Sequence, residues 1–257
     1  MIYYYSDELN DDFASMERKT LNIDDDYNYI HKNLIYKCCS FVVYRLIMTP
    51  IAFLSMKIKY HHKIKNKRVL KKLKKQGYFL YGNHTMYGAD AFIPNLVSFP
   101  KKTMVIVDPC NLSTKGTKTF IEMSGALPIP STLKGMKKFM DGIEYHIKKK
   151  RCIQIYPEAH VWPYCTFIRN FRSVSFKYPC KLNVPSFAFT NTFVKRKHSK
   201  NPKVITYVDG PFYPNKDLDI KDQQEDLRNR ILEVMKERSK NSIYKINDFV
   251  FRGDLND

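Results

Sequence analysis

Five short apolar runs punctuate the chain: "YFLYG" (78–82), "TMVIV" (103–107), "CIQIY" (152–156), "SFAFT" (186–190) and "VITYV" (204–208). Each is too short for a helix and rich in β-branched or aromatic residues, so each reads as a strand buried on both faces. Between the second and third lies "STLKGMKKFMDGIEYHIKKKR", where Leu133, Met136, Met140, Ile143 and Ile147 recur at helical spacing with bases on the other side. "DQQEDLRNRILEVMKERSK" repeats the pattern through Leu227, Ile231, Val234 and Met235. Strands alternating with amphipathic helices predict an α/β fold, a central and mostly parallel sheet covered by helices. With 257 residues there is enough chain for one large domain of this kind or two small ones.

Ahead of the first strand lies the most apolar window, "LIYKCCSFVVYRLIMTPIAFLSM" (34–56). Its length matches a bilayer, but Lys37, Arg45 and Pro50 interrupt it, and an arginine near a helix centre costs roughly 3 kcal/mol on insertion scales. The pattern predicts an N-terminal amphipathic hairpin instead, two short helices broken at Pro50. These would dock into one leaflet while Lys37 and Arg45 reach back to the headgroups. A buried helical hairpin of a soluble core is the alternative. Directly after comes "KIKYHHKIKNKRVLKKLKKQ" (57–76), with ten Lys or Arg and no acid. Each base beside an anionic membrane adds about 1 kcal/mol of attraction, so the two segments support each other. His61 and His62 in this run are read as surface residues without a metal. The chain therefore divides into an acidic N-terminal segment (1–33), a membrane-docking segment (34–76) and an α/β domain (77–257).

Charge narrows the partners. Overall 44 Lys and Arg face 25 Asp and Glu, and the first 26 residues hold eight of the acids, Glu17 among them, and two of the bases. The remainder carries 42 bases against 17 acids, a field that favours nucleic acid, an anionic membrane surface, a phosphorylated substrate or an acidic carrier protein. No zinc spacing, ribonucleoprotein aromatic signature or helix-turn-helix pattern accompanies the charge, so no nucleic acid is expected. Six scattered cysteines without C-x-x-C pairs read as reduced, mostly buried thiols on the cytosolic side, and "MIYYYSDELNDD" is not a secretory signal.

Three segments carry candidate chemistry. In "GNHTMYGAD", His84 follows a buried strand and Asp90 stands six positions on. A carboxylate that accepts from one ring nitrogen fixes the tautomer, and the other nitrogen is then able to take a proton from an alcohol. The bland reading is two polar residues in a turn. "IQIYPEAHVWPY" (153–164) delivers Glu158 to the end of a strand, where α/β proteins place their sites; a solvent-facing turn is the alternative. Trp162 there walls an acceptor pocket, sits at a membrane interface, or packs in the core. "NVPSFAFTNTF" (183–193) alone is a core strand.

In this order the segments resemble the motif series of the glycerolipid acyltransferases, the lysophosphatidate acyltransferase family: N-H-x-x-x-x-D, G-x-x-x-x-x-R, F-P-E-G-T-R and an apolar V-P-x-x-P. Asn83, His84 and Asp90 match the first, Gly125 of "GALPIPS" the second, Pro157 and Glu158 the third, and "VPSFA" the fourth, while Phe171 and Arg172 of "IRNFRS" resemble a basic F-K-x-G segment. The resemblance spans roughly residues 77–210. His84 and Asp90 are separated by five residues instead of four, which Gly88 can absorb as a bulge. The family's two phosphate-binding arginines are replaced by Ser131 and Val161, with His160, Arg169, Arg172, Lys134, Lys137 and Lys138 as nearby cations.

The resemblance implies an acyltransferase in which His84 deprotonates an acceptor hydroxyl, Asp90 orients it, and the alkoxide attacks an acyl thioester with no covalent acyl-enzyme. Substrate-binding residues are expected among Asn83, Gly125, Ser131, Glu158, His160, Arg169 and Arg172. No cofactor or metal is expected to be bound; acyl-CoA or an acyl carrier protein thioester serves as co-substrate. The expected partners are a lysolipid acceptor, such as 1-acylglycerol-3-phosphate, and an anionic membrane surface, with the protein peripheral or monotopic on the cytoplasmic face. A non-catalytic cationic lipid-binding protein and a nucleic-acid-binding protein are the competing readings.

Overall fold

The computed structural model describes residues 1–13, 21–113 and 116–255, so Glu17 lies outside the described residues. In chain order the strands are β1 (Ile2–Tyr5), β2 (Lys63–Lys65), β3 (Tyr78–Gly82), β4 (Thr103–Val107), β5 (Ala126–Pro128), β6 (Cys152–Ile155), β7 (Ser186–Val194), β8 (Lys203–Phe212) and β9 (Asp248–Phe251). The α-helices are α1 (Leu34–Phe41), α2 (Thr49–Tyr60), α3 (Ile93–Ser98), α4 (Lys118–Met123), α5 (Leu133–Lys148), α6 (Lys177–Leu182) and α7 (Ile220–Ser239). The main sheet runs β2-β8-β7-β3-β6-β4-β5, with every pairing parallel except β7 with β8. β1 and β9 form a separate parallel pair.

The continuous apolar runs are explained by a sheet that is buried on both faces, because successive side chains of a strand point to opposite sides. Phe79 and Tyr81 join Ile153, Ile155 and Ala188 in a core closed by Phe139 and Ile143 of α5 and Leu227, Ile231 and Met235 of α7. Tyr78 and Leu80 point the other way, to Phe187 and Phe189 and to Ala52, Met56 and Tyr60 of α2. Met136 and Met140 pack on the first core as partly buried residues. Leu133 does not: it is the first residue of α5 after the Thr132 cap and is 93% exposed.

The expected hairpin is one unbroken helical segment, Leu34–Tyr60, long and apolar enough by composition to cross a membrane. Residues Val42–Met48 between α1 and α2 are wound as a π-helix. The amide and hydroxyl of Thr49 both reach the Tyr44 carbonyl, five residues back, the hydroxyl at 2.8 Å. Pro50 follows the π-helical segment in the first turn of α2, and the helix passes through it. Ser40, Tyr44, Ala52, Met56 and Tyr60 form a buried stripe along its length, whereas Leu34, Ile35, Phe41, Leu46, Ile47, Phe53, Leu54 and Ile58 are exposed. Cys38 and Cys39 are also exposed, so the cysteines are less buried than expected; Cys152, Cys165 and Cys180 are buried. Within the basic run, β2 adds a strand to the sheet edge, and His62 is turned inward with Nε2 2.7 Å from Thr206 Oγ1 on β8. That strand pairing, absent from any local pattern, takes His62 off the surface.

Candidate active site

β3 ends at Gly82 and β6 at Ile155, and because these strands are parallel neighbours their following loops meet at one edge of the sheet. His84 leaves β3 and Glu158 leaves β6. Asn83 does not point at a substrate: its Oδ1 accepts from the Asn191 amide at 2.8 Å and its Nδ2 donates to the Asn191 carbonyl at 3.1 Å, locking the loop onto β7. Asn191 Oδ1 in turn accepts from Thr206 Oγ1 at 2.6 Å.

The two residues of the first motif come together. His84 Nδ1 lies 2.6 Å from Asp90 Oδ2, and the same oxygen accepts the Met86 amide at 2.9 Å. An ionised carboxylate only accepts, so Nδ1 carries the proton and Nε2 presents its lone pair. Nε2 has no hydrogen bond among the described residues, and the His84 side chain keeps 19% of its surface open while Asp90 keeps 6%. The five intervening residues make a tight turn: the Ala89 and Asp90 amides both donate to the Met86 carbonyl, and Gly88 takes φ 72°. The extra residue is absorbed where glycine allows the left-handed region.

Tyr156 forms the platform of the imidazole. Its ring stacks on His84 with centroids 4.2 Å apart and planes 10° apart, and its hydroxyl donates to the Asp90 carbonyl at 2.6 Å. Burial, then the nearby Asp90 carboxylate, pushes the Tyr156 phenol well above its ordinary range, so it stays a donor. Sequence reasoning leaves Tyr156, like Trp162, open between a pocket wall, a membrane-interface residue and core packing; the stacking on His84 is not among those readings.

Glu158 is neither a solvent-facing turn residue nor a group aimed at an open pocket. With 1% of its side chain exposed, it accepts the His84 amide through Oε2 at 2.8 Å and the Arg169 amide through Oε1 at 3.1 Å. Arg169, expected among the phosphate-binding cations, is fully buried instead. Its guanidinium meets Glu158 Oε2 at 3.3 Å, the His160 carbonyl and the Glu8 carbonyl, and lies 4.7 Å above the Trp162 ring. A buried carboxylate needs such a partner, and the pairing removes Arg169 from ligand duty. Ala159 stands where the family motif has glycine and adopts φ 62°. The loop is stitched to the histidine by Trp162 N–H to the His84 carbonyl, 3.1 Å, and Tyr164 N–H to the Thr85 carbonyl, 2.8 Å.

Trp162 is core. It is 0% exposed, stacks on Phe249 of β9, touches Tyr5 and Phe13, and donates from Nε1 to the Asp11 carbonyl at 2.8 Å. The acidic N-terminal segment thus straps the loop, and His160 Nδ1 stands 3.7 Å from Asp12 Oδ2. The remaining candidates are not tied to His84 by any hydrogen bond. Gly125 turns the chain into β5 with φ 105°, where a Cβ would meet the Thr103 carbonyl oxygen at 2.4 Å. Ser131 is exposed before α5, and Arg172 is exposed beside Phe171. Among the described residues no group of His, Cys, Asp and Glu is arranged to hold a metal.

No family model matches the sequence, and no curated protein matches it. Solved structures do match in shape. One is the 1-acyl-sn-glycerophosphate acyltransferase of Thermotoga maritima, at a TM-score of 0.59 and 11% identity, covering 82% of this chain and 84% of that one. At this identity the likeness speaks for the backbone arrangement: the chain has the α/β fold of a glycerolipid acyltransferase.

Proposed function

We propose that this protein is a membrane-surface O-acyltransferase that moves a fatty acyl group from a thioester to the hydroxyl of a lysophospholipid. The observation that carries the reading is the His84–Asp90 contact of 2.6 Å, with Nε2 unengaged, within a fold shared with a lysophosphatidate acyltransferase. Nε2 takes the proton of the acceptor hydroxyl as its oxygen attacks the thioester carbonyl, and Asp90 stabilises the imidazolium that forms. The tetrahedral intermediate then expels the thiolate, which recovers the proton from His84. Acyl-CoA or an acyl carrier protein thioester is the donor, and both are anionic, as the cationic body favours.

The lysolipid is presented from the bilayer. The exposed apolar face of Leu34–Tyr60 lies in the interface, since a stripe buried against the domain from Ser40 to Tyr60 holds the helix along the protein surface. Met86 and Ala89 of the catalytic turn share a core with Ala52, Met56 and Tyr60, so the helix that meets lipid also backs the turn that carries the base. The acceptor is 1-acylglycerol-3-phosphate or a relative with another head group, because Ser131 and Val161 replace the family's arginines and Arg169 is engaged with Glu158. The test is incubation of the purified protein with vesicles of defined lysolipids and a panel of acyl thioesters, with products read by mass spectrometry. A diacyl product from one lysolipid supports the reading; no ester from any of them, with vesicle binding intact, contradicts it.

A further inference from the structure

At the opposite edge of the sheet from His84 lies a cavity of about 280 Å³. Its floor is the N-terminal end of β4 and β6, where Lys102 and Arg151 immediately precede the strands, and its roof is the inner face of the apolar helix, through Ser40, Tyr44 and Arg45. His84 follows the C-terminal end of β3, parallel to both through β6, so a strand's length separates the two places, about 17 Å for five residues.

The cavity is cationic, with Lys37, Arg45, Lys102 and Arg151 on its lining against a single carboxylate. Lys102 Nζ donates to Ser40 Oγ at 2.6 Å and to the Met123 carbonyl at 3.1 Å, and stands 5.0 Å from the Tyr44 ring. Arg45 donates to the Pro100 carbonyl at 2.6 Å. Arg151 Nη1 donates to His146 Nδ1 at 2.8 Å, which orients the guanidinium without neutralising it. None of the three has a carboxylate in salt-bridge reach among the described residues. The one acid on the wall, Glu122, accepts the Tyr27 hydroxyl at 2.7 Å. Burial, with Arg151 and Arg45 nearby, lowers Lys102 to about 7; burial, with Arg151 and Lys102 nearby, lowers His146 to about 3. Gathering these cations around a void whose one acid pairs with none of the three is unfavourable unless an anion completes the set.

We propose that this cavity is a binding site for a phosphoryl group, held by Lys102, Arg151 and Arg45 beneath the apolar helix. The volume suits a phosphate with a small substituent, as either free phosphate or the head group of an anionic lipid whose chains leave along the exposed face of the helix. The site is separate from the acyl-transfer chemistry, and its occupancy stiffens the junction between the helix and the sheet.

Equilibrium dialysis of the full-length protein against inorganic phosphate, and in a second arm against dihexanoyl phosphatidate, tests the proposal in chloride of matched ionic strength. Saturable binding is expected in the unmodified protein and equally in His84→Ala. It is expected to weaken about ten-fold or more in Lys102→Met and independently in Arg45→Met, the order of one lost charge-assisted contact. Binding of phosphate identifies a free-anion site, and binding of the phosphatidate alone identifies a lipid head-group site; both support the proposal. No saturable binding of either ligand, or binding unchanged in a folded Lys102→Met or Arg45→Met, overturns it.

Discussion

The His84 amide donates to Glu158 Oε2 at 2.8 Å across 74 residues of sequence, and the same buried carboxylate holds Arg169. The backbone that carries the proposed base is thus fixed by an ion pair that faces no solvent. Removing one partner strands the other, which costs about 3 kcal/mol or more, whereas an amide in place of the carboxylate still accepts from His84. Glu158→Ala is expected to lose that much unfolding free energy, read as a lower urea midpoint at unchanged slope, and Glu158→Gln to lose less than half of it. Equal and negligible losses in the two variants would show that the pair does not organise the loop.

Gly88 sits at φ 72°, and a Cβ at this position would have nothing within 4 Å, so a side chain there meets strain but no collision. Gly88→Ala is expected to cost about 1 kcal/mol, and Gly88→Asn less, because asparagine tolerates the left-handed region better. Thermal unfolding of the two variants gives the order directly; a Gly88→Ala protein as stable as the parent contradicts a turn that depends on this conformation.

Burial, with Lys67 nearby, lowers His62 to about 4, against about 6.5 for an unfolded histidine. Between these values the unfolded chain binds a proton that the folded chain refuses, so stability falls as pH drops from about 6.5 to about 4, and His62 contributes no slope above that window. Buried His146 adds a loss in the same direction, extending to about pH 3. Urea unfolding at pH 7 and pH 5 is expected to show a smaller difference in His62→Gln, whose amide still donates to Thr206. An identical pH dependence in parent and variant contradicts the assignment.

Phe53, Leu54 and Ile58 are 57%, 53% and 70% exposed on the face proposed to enter lipid. Each such side chain is worth about 1.5–3 kcal/mol when removed from water, so Phe53→Glu is expected to weaken vesicle partitioning at least ten-fold. Sedimentation with phosphatidylglycerol vesicles measures it. Partitioning insensitive to Phe53→Glu and Leu54→Glu together contradicts an interfacial helix.

Much of the sheet is legible in the chain because its strands are buried on both faces: 78–82 and 103–107 coincide with β3 and β4 residue for residue. β1, β2, β5 and β9 are three or four residues long, and all but β5 pair across large separations, Ile2 with Asp248 for example, so no local period announces them. Pro50 misleads because a proline normally ends a helix, and the π-helical turns that accommodate it leave no signature in residue type. At the site, the pairing of His84 with Asp90 is legible, and the two side chains do meet. The burial of Arg169 and Trp162 is not, because it depends on an N-terminal strand folding back over the 158–170 loop.

The proposed chemistry turns on His84 acting as the base that Asp90 orients, and the most direct measurement is the single-turnover rate of acyl transfer on vesicles carrying the accepted lysolipid. His84→Ala and Asp90→Asn, both folded and membrane-bound, are each expected to slow that rate by about 10²- to 10⁴-fold with little change in acceptor affinity. A His84→Ala protein that transfers acyl groups at the parent rate would contradict the assignment of the base.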